Sequence, residues 1–122
     1  MDIERGEFVG AVAGLGESVY SFHERFGLPC VDFDDRDATL EALRRRLALL
    51  SEEMGEHARE LNRANVAEAT AEAIDIAYVA LGTVLTLGHA GRDACFSIAT
   101  KNDAKTLTTH GNRGSTGKVI AR

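Results

Sequence analysis

The chain has 122 residues, 44% of them hydrophobic and 27% charged, which predicts one folded domain over residues 1–122 rather than a disordered chain. Its formal net charge of −5 argues against binding to nucleic acid or to a membrane surface, because phosphates attract basic patches. The two cysteines, Cys30 and Cys95, lie far apart without a His/Cys cluster. That pattern excludes a zinc finger and disfavours a disulfide framework.

The N-terminus and the apolar segments predict a cytoplasmic protein. Asp2, Glu4 and Glu7 stand where a signal peptide would carry a basic region followed by an apolar one. The longest apolar segment, residues 73–88, contains Asp75 and falls short of the roughly 18 apolar residues of a membrane span. We therefore expect a soluble, cytoplasmic protein without a membrane partner.

Four helices are predicted along the chain. The first covers about residues 7–26 and ends at Gly27-Leu28-Pro29. An acidic loop follows, and Asp37 or Thr39 can cap a second helix that reaches about residues 62–65. Its leucines recur at the spacing of one helical face. The third helix covers about residues 66–87 and the fourth about residues 92–105, with glycines between them.

These elements predict an all-α fold. Short connections between long helices favour antiparallel neighbours, so we expect an antiparallel four-helix bundle. A domain of this length buries a limited share of its surface, and we expect homo-oligomerisation to complete the core. The tail, residues 106–122, is rich in glycine, threonine and serine, which predicts an irregular segment with at most a short extended piece at residues 118–120.

Two pairs of carboxylates stand out on the central helices. Glu53 and Glu56 lie three residues apart on the second helix, and Glu72 and Asp75 lie three apart on the third. Side chains at this spacing project side by side from a helix, so each helix presents a pair. Fifteen residues separate the pairs, which allows the two helices to fold back on each other. One such pair alone is usually a solvated acidic patch, and its repetition favours a site.

The surroundings of Asp75 favour a metal ion. Asp75 is the only charged residue in the apolar segment 73–88, which predicts that it is buried. A buried carboxylate is costly unless it is paired or coordinates a metal, and four carboxylates suit Mg²⁺, with Mn²⁺ as a substitute. A ferritin-like di-iron centre would need Glu-x-x-His pairs, and Glu56 and Arg59 stand at those positions instead.

The spacing Glu53-x-x-Glu56, fifteen residues, Glu72-x-x-Asp75 resembles the signature of the all-α NTP pyrophosphohydrolase superfamily. That superfamily includes MazG-like enzymes, dimeric dUTPases and phosphoribosyl-ATP pyrophosphohydrolase. The Phe-His-Glu-Arg-Phe-Gly stretch at residues 22–27 is similar to the first helix of MazG-like members. Residues 102–105, Asn-Asp-Ala-Lys, are similar to their downstream Asn-x-x-Lys segment. The likeness spans most of residues 15–120 and favours the MazG-like branch.

The resemblance implies Mg²⁺-dependent hydrolysis of a nucleoside triphosphate to the monophosphate and pyrophosphate, in house-cleaning of the nucleotide pool. It implies a metal site on the four carboxylates and a homodimer or homotetramer. The catalytic candidates are Glu53 and Glu52, and Glu52 would activate water or add a metal contact unless it is an ordinary exposed glutamate. The candidates for substrate binding are His23, Lys101, Asn102 and Lys105.

Two other functions stay open at this point. The same scaffold could act on phosphoribosyl-ATP in histidine biosynthesis. A helical dimer that binds a nucleotide or a partner without catalysis is the alternative from another class. The sequence leaves the preferred base open, because base selection depends on the shape of the pocket.

Overall fold

The computed structural model describes residues 2–122 and consists mainly of four helices. They are α1 (Arg5–Arg25), α2 (Arg36–Asn62), α3 (Val66–Thr86) and α4 (Gly88–Asp103). Two short strands follow, β1 (His110–Asn112) and β2 (Val119–Ala121). The predicted all-α fold is confirmed, and the predicted helix ends differ from the observed ones by up to four residues.

Helix α2 is capped by Asp35, two residues before Asp37 and four before Thr39, the two predicted caps. The Asp35 side chain accepts a hydrogen bond from the Ala38 backbone N–H at 3.0 Å, which satisfies one of the free donors of the first turn. The buried Thr39, one of the predicted caps, instead donates its hydroxyl hydrogen to the Asp35 carbonyl at 2.8 Å. The side chain and the carbonyl of Asp35 therefore both join the end of the loop to the first turn of α2.

Helices α2 and α3 form an antiparallel hairpin. The connection has Ala64 in the left-handed region with a φ of 57°, and the Asn65 side chain then caps α3 by accepting from the Glu68 N–H. His57 Nδ1 lies 2.9 Å from the Ala69 carbonyl, and Arg46 Nη2 donates to the Val79 carbonyl at 2.6 Å. Earlier residues of α2 therefore face later residues of α3, which brings the two carboxylate pairs to the same level.

Helix α3 is the central element, and α1, α2 and α4 all pack against it. Ser18 on α1 meets the Tyr78 hydroxyl at 3.2 Å, and the chain after α1 is tied to the end of α3 by a Val31 N–H to Thr86 carbonyl bond of 2.8 Å. Helix α1 therefore runs in the same direction as α3. Helix α4 turns back at Gly88, where φ is 61°.

The core of this single chain is thin. Its buried apolar residues are Val19, Ala42, Ala69 and Val79, and within residues 2–122 no side chain is less than 2% exposed. Apolar residues on the helices remain open to solvent, including Leu47 on α2 at 62% exposure and Phe96 on α4 at 67%. The helices thus leave apolar faces uncovered, a point that bears on the oligomeric state below.

Helix α3 is long and apolar enough to cross a membrane by length and composition alone. The core helix of a soluble protein passes the same test. In this structure α3 contacts three other helices and carries two acidic side chains, Glu72 and Asp75. Its apolar character therefore fits its place at the centre of the helices.

The tail differs from the predicted irregular segment. Strands β1 and β2 pair antiparallel, with Gly111 opposite Ile120. Two further backbone hydrogen bonds close the hairpin, from the Arg113 N–H to the Lys118 carbonyl and from the Gly117 N–H to the Arg113 carbonyl. Gly117 takes a φ of 73° in the turn, which glycine adopts without strain. Gly114 and Gly117 thus belong to the turn of the hairpin, and Gly111 belongs to β1.

Replacing Gly91 with alanine should destabilise the chain, although alanine is the better helix former. A Cβ at residue 91 would lie 2.2 Å from the Val84 carbonyl oxygen, which belongs to the backbone of α3 and can move aside only if α3 and α4 shift relative to each other. Overpacking of this kind costs typically about 1–3 kcal/mol. Gly14 on α1 has no atom within 4 Å of the same position, so Gly14→Ala should stabilise by about 1 kcal/mol. Urea unfolding of both variants tests whether the free energy of unfolding falls in Gly91→Ala and rises in Gly14→Ala. Changes of the same sign and size in both variants would contradict the prediction.

Candidate metal and nucleotide site

Three glutamates converge where α2 faces α3. Glu53 and Glu56 lie one helical turn apart on α2, and Glu72 comes from α3 across the antiparallel pair. One carboxylate oxygen from each residue lies within 4.8 Å of the others. Three negative oxygens this close repel one another unless a cation or protons lie between them. The arrangement supplies the oxygen ligands that Mg²⁺ and Mn²⁺ prefer.

Glu72 gives the clearest sign that the cluster suits a cation. Its Oε2 atom is buried and has no hydrogen-bond partner in residues 2–122. Buried polar atoms are nearly always paired, and a charged one left without a partner is especially unfavourable. A divalent cation held by these carboxylates would satisfy this atom and offset the repulsion, so the residues fit the metal that the superfamily implies.

Asp75 lies beside the three glutamates but is not buried as predicted. It lines a small pocket of about 240 Å³ together with Glu53, and its side chain is exposed in the single chain. The prediction of burial was wrong because the neighbouring helices cover only part of α3. Glu72 is half-buried, and its Oε2 atom is cut off from solvent. The role of Asp75 as a metal ligand stays a prediction.

The carboxylates shift one another's proton affinity. Burial raises the pKa of Glu53 above its ordinary value of 4.5, and the negative charges of Glu56 and Asp75 raise it further. Burial likewise raises the pKa of Glu72, with added repulsion from Glu56, Asp75 and Glu53. These directions mean that the folded chain holds protons at the cluster more tightly than the unfolded chain does.

The stability of the metal-free protein should therefore fall as pH rises through this region. A carboxylate whose pKa is raised by folding favours the folded state when protonated, and this advantage disappears as pH rises above its folded pKa. Relative to Glu72→Gln, which cannot ionise, the wild type should lose stability as pH rises above 4.5, the ordinary pKa of a glutamate side chain. Urea unfolding in EDTA, repeated at pH values from 4.5 upward, measures the difference in the free energy of unfolding between the wild type and Glu72→Gln. Glu68 lies one turn earlier and is exposed, so the free energy of unfolding of Glu68→Gln should change with pH as that of the wild type does. A difference between the wild type and Glu72→Gln that does not change with pH would refute the expectation.

Glu52 is exposed and adjoins the cluster without joining it. Its charge contributes a small upward effect to the pKa of Glu53, after burial and the charges of Glu56 and Asp75. It is therefore close enough to act on the cluster through its charge. Its role as a water-activating base stays a prediction.

His23 and Arg46 lie together beside the carboxylates. Both line the pocket that contains Glu53 and Asp75, and both line an adjoining pocket of about 420 Å³ between the end of α1 and the start of α2. Burial and the nearby Arg46 charge lower the pKa of His23 below 6.5, so its ring is neutral at neutral pH. The two pockets share these residues and form one cleft that leads away from the carboxylates.

Arg46 was missed in the sequence. It belongs to the run Arg44-Arg45-Arg46, which looks like a solvated charged face. It also lies four residues before Leu50, on the apolar side of α2, and this position was the signal that could have found it. In the structure its Nε donates to the Thr83 hydroxyl at 3.2 Å, and burial lowers its pKa. A Cβ on Gly82 would lie 2.3 Å from Arg46 Nη2, so glycine makes room for the guanidinium.

The three other substrate-binding candidates lie elsewhere. Lys101, Asn102 and Lys105 are at the C-terminal end of α4, where the Lys105 ammonium donates to Asn102 Oδ1 at 2.9 Å. In the part of the chain that the structure describes, none of them lines the cleft next to the carboxylates. Within a single chain, the structure therefore brings His23 to the carboxylates and leaves this segment apart.

Comparison with known proteins decides the family. Residues 19–102 match the family model described as phosphoribosyl-ATP pyrophosphohydrolase, which is well over half of the chain and includes all four carboxylates. The chain belongs to the phosphoribosyl-ATP pyrophosphohydrolase family. It is thus a pyrophosphohydrolase of the all-α NTP pyrophosphohydrolase superfamily, as the carboxylate spacing indicated, while its place in the MazG-like branch stays a prediction. No curated protein and no solved structure matches the chain.

Proposed function

We propose that the protein hydrolyses the bond between the α- and β-phosphates of a nucleoside triphosphate in a Mg²⁺-dependent reaction, releasing pyrophosphate. The observation that carries the proposal is the cluster of Glu53, Glu56 and Glu72 with its unpartnered buried oxygen. A triphosphate brings about four negative charges, and an acidic site can hold it only through divalent cations. The substrate is therefore a polyphosphate that arrives with its metal.

The chain's own residues have distinct parts in this reaction. Glu53, Glu56 and Glu72 would hold the metal, with Asp75 as the fourth ligand. When bound, Mg²⁺ supplies positive charge to the phosphate oxygens and acidifies water. Glu52, exposed next to Glu53, would accept the proton of the attacking water, and Glu53 would orient that water through its second oxygen.

The cleft beside the carboxylates would take the rest of the nucleotide. The neutral His23 ring can both donate and accept a hydrogen bond, and Phe22 and Tyr78 offer aromatic surface in an edge-to-face pair with centroids 6.0 Å apart. Arg46 is the cation of the pocket that holds Glu53 and Asp75. With the triphosphate at the carboxylates, the sugar and base would extend past His23 toward Pro29 and the start of α2.

Two substrates fit this reaction. A canonical or damaged nucleoside triphosphate, cleared from the nucleotide pool, is the choice favoured by the MazG-like resemblance. Phosphoribosyl-ATP is the second candidate, favoured by the description of the matching family model. Both carry a triphosphate that would yield pyrophosphate, and they differ in whether a phosphoribosyl group is attached to the base.

A substrate panel separates the two candidates. The assay compares kcat/KM for the four dNTPs, the four NTPs and phosphoribosyl-ATP by pyrophosphate release in Mg²⁺. A preference of about tenfold or more for phosphoribosyl-ATP would assign the protein to histidine biosynthesis, and the reverse would assign it to house-cleaning. Glu53→Gln should be inactive on the preferred substrate, whereas Glu60→Gln on the same helix should not be. Mg²⁺-dependent nucleotide binding without turnover would instead favour the non-catalytic alternative.

The exposed apolar faces support a homo-oligomer. The described chain leaves Leu47, Phe96 and Ile98 more than half exposed, and a second copy would cover such faces. We expect a homodimer as the smallest assembly. Sedimentation equilibrium at micromolar concentration should give at least twice the 13.1 kDa chain mass, and a monomer at that concentration would contradict the expectation. The exposed free thiols of Cys30 and Cys95 fit the reducing cytoplasm proposed as its location.

A further inference from the structure

A second pocket lies between the end of α4 and the β1–β2 hairpin. It has a volume of about 590 Å³, within the range of small-ligand sites, and shares no lining residue with the cleft at the carboxylates. It is lined by polar donors, together with Leu107, Gly111 and Val119. Those donors are Asn102, Lys105, Thr106, His110, Asn112 and Arg122. No acidic side chain lines it.

Acidic and basic residues are distributed unevenly along the chain, and the basic excess lies in the segment that lines this pocket. The first 100 residues carry 18 acidic and 9 basic side chains, whereas residues 101–122 carry one acidic and five basic ones, including all three lysines. The ion pairs found in residues 2–122 all lie at or before Asp93. The cations of the tail thus have no carboxylate partner in the described chain, which leaves their charge available to an anion.

Two of these cations are held in place at the pocket. Arg122 Nε donates to the Leu107 carbonyl at 2.8 Å and to the His110 carbonyl at 3.0 Å. This leaves its terminal nitrogens without a hydrogen-bond partner in residues 2–122. Lys105 is one of the few half-buried residues of the tail, and Asn102 holds its ammonium at 2.9 Å. A guanidinium and an ammonium fixed on one pocket are suited to phosphate oxygens.

We propose that this pocket is a second binding site, for the phosphate chain of a nucleotide or of inorganic pyrophosphate, that works without a metal ion. The phosphate chain would lie between Lys105 and Arg122, with His110 and the two asparagine amides as further donors. The site lies largely beyond residue 102, where the family match ends, and its ligands are basic where those of the catalytic cluster are acidic. Asn102 and Lys105, candidates for substrate binding in the sequence, line this pocket and not the cleft at the carboxylates, so the proposal does not rest on the proposed reaction.

Calorimetry in EDTA tests the proposal, because the carboxylate cluster cannot hold a triphosphate without its metal. Inorganic pyrophosphate and ATP are titrated separately into the wild type and Glu53→Gln, which should bind alike. Lys105→Gln should weaken binding by about tenfold or more, as expected for a lost charge-assisted hydrogen bond. Tighter binding of ATP than of pyrophosphate would identify a nucleotide as the ligand, and equal binding would identify the inorganic anion.

Matched control variants distinguish specific binding in this pocket from non-specific electrostatic attraction to the positively charged tail. Arg113→Gln and Lys118→Gln remove the same charge from tail positions that do not line the pocket, and each should change the affinity by less than about threefold. Arg122 also supports the hairpin, so the affinity of Arg122→Gln is interpreted only together with the amide NMR signals of residues 110–121, which report whether the hairpin is intact. No binding in EDTA, equal losses in the control variants, or loss in Glu53→Gln would overturn the proposal. Tighter binding of a single-stranded oligonucleotide that depends on Arg113 and Lys118 as much as on Lys105 and Arg122 would also overturn it, in favour of a nucleic-acid surface.

Discussion

Replacing Glu72 with glutamine should lower kcat/KM for triphosphate hydrolysis by at least about 100-fold. Loss of a residue that merely orients a metal ligand typically costs about 10–100-fold, and Glu72 is proposed as a ligand itself. Glutamine keeps the shape of the side chain and removes the charge that the metal requires. Glu72 Oε2 has no hydrogen-bond partner in the described chain, so the change takes no partner from that atom.

The same variant should separate binding from stability. Mg²⁺ should raise the melting temperature of the wild type and have little effect on Glu72→Gln, because a ligand stabilises only the state that binds it. Differential scanning calorimetry with and without Mg²⁺, beside steady-state kinetics, measures both effects. Glu68→Gln on the same helix serves as the control and should keep the activity and the Mg²⁺ response. Wild-type activity in Glu72→Gln would remove the cluster from the reaction.

Replacing Arg46 with methionine should raise KM by roughly 10–100-fold, because a charge-assisted hydrogen bond to substrate is worth about 1.5–3 kcal/mol. The free energy of unfolding should change by less than about 1 kcal/mol. Methionine loses the bonds to the Val79 carbonyl and the Thr83 hydroxyl, but it also removes a half-buried guanidinium that has no carboxylate within 4.0 Å in residues 2–122. The apolar length of the side chain is retained for packing.

A neighbouring arginine provides the control for Arg46. Arg44 is exposed and lines neither pocket of the cleft, so Arg44→Met should leave both KM and stability unchanged. Kinetics and urea unfolding of the two variants are compared directly. Strong destabilisation of Arg46→Met with an unchanged KM would show that Arg46 serves the fold and not the substrate.

The helices and the carboxylate cluster could be predicted from the sequence because both depend on local spacing. The leucines of α2 recur at helical intervals, and Glu53 and Glu56 share a face at a separation of three residues. Glu72 could be placed opposite them because the connection between α2 and α3 is too short for any arrangement but a hairpin. The family match over residues 19–102 agrees with that prediction.

The features that escaped prediction depend on which face of a helix is covered. Asp75 stands in an apolar segment and is nevertheless exposed, because burial is decided by the neighbouring helices and not by the residues next to it in sequence. Arg46 looked like one of three solvated arginines until α3 supplied a carbonyl and a hydroxyl as its partners. The pocket of the tail needed residues 102 and 122 brought together by a hairpin, and its strands are too short to show an alternating pattern.

The most direct test of the metal site and its reaction is ³¹P NMR of the products formed from a nucleoside triphosphate, or from phosphoribosyl-ATP, in Mg²⁺ and in EDTA. The proposed function predicts the monophosphate and pyrophosphate in Mg²⁺, no turnover in EDTA, and turnover by Glu72→Gln in Mg²⁺ that is at least about 100-fold slower. Release of orthophosphate, turnover that persists in EDTA, or full activity of Glu72→Gln would contradict it.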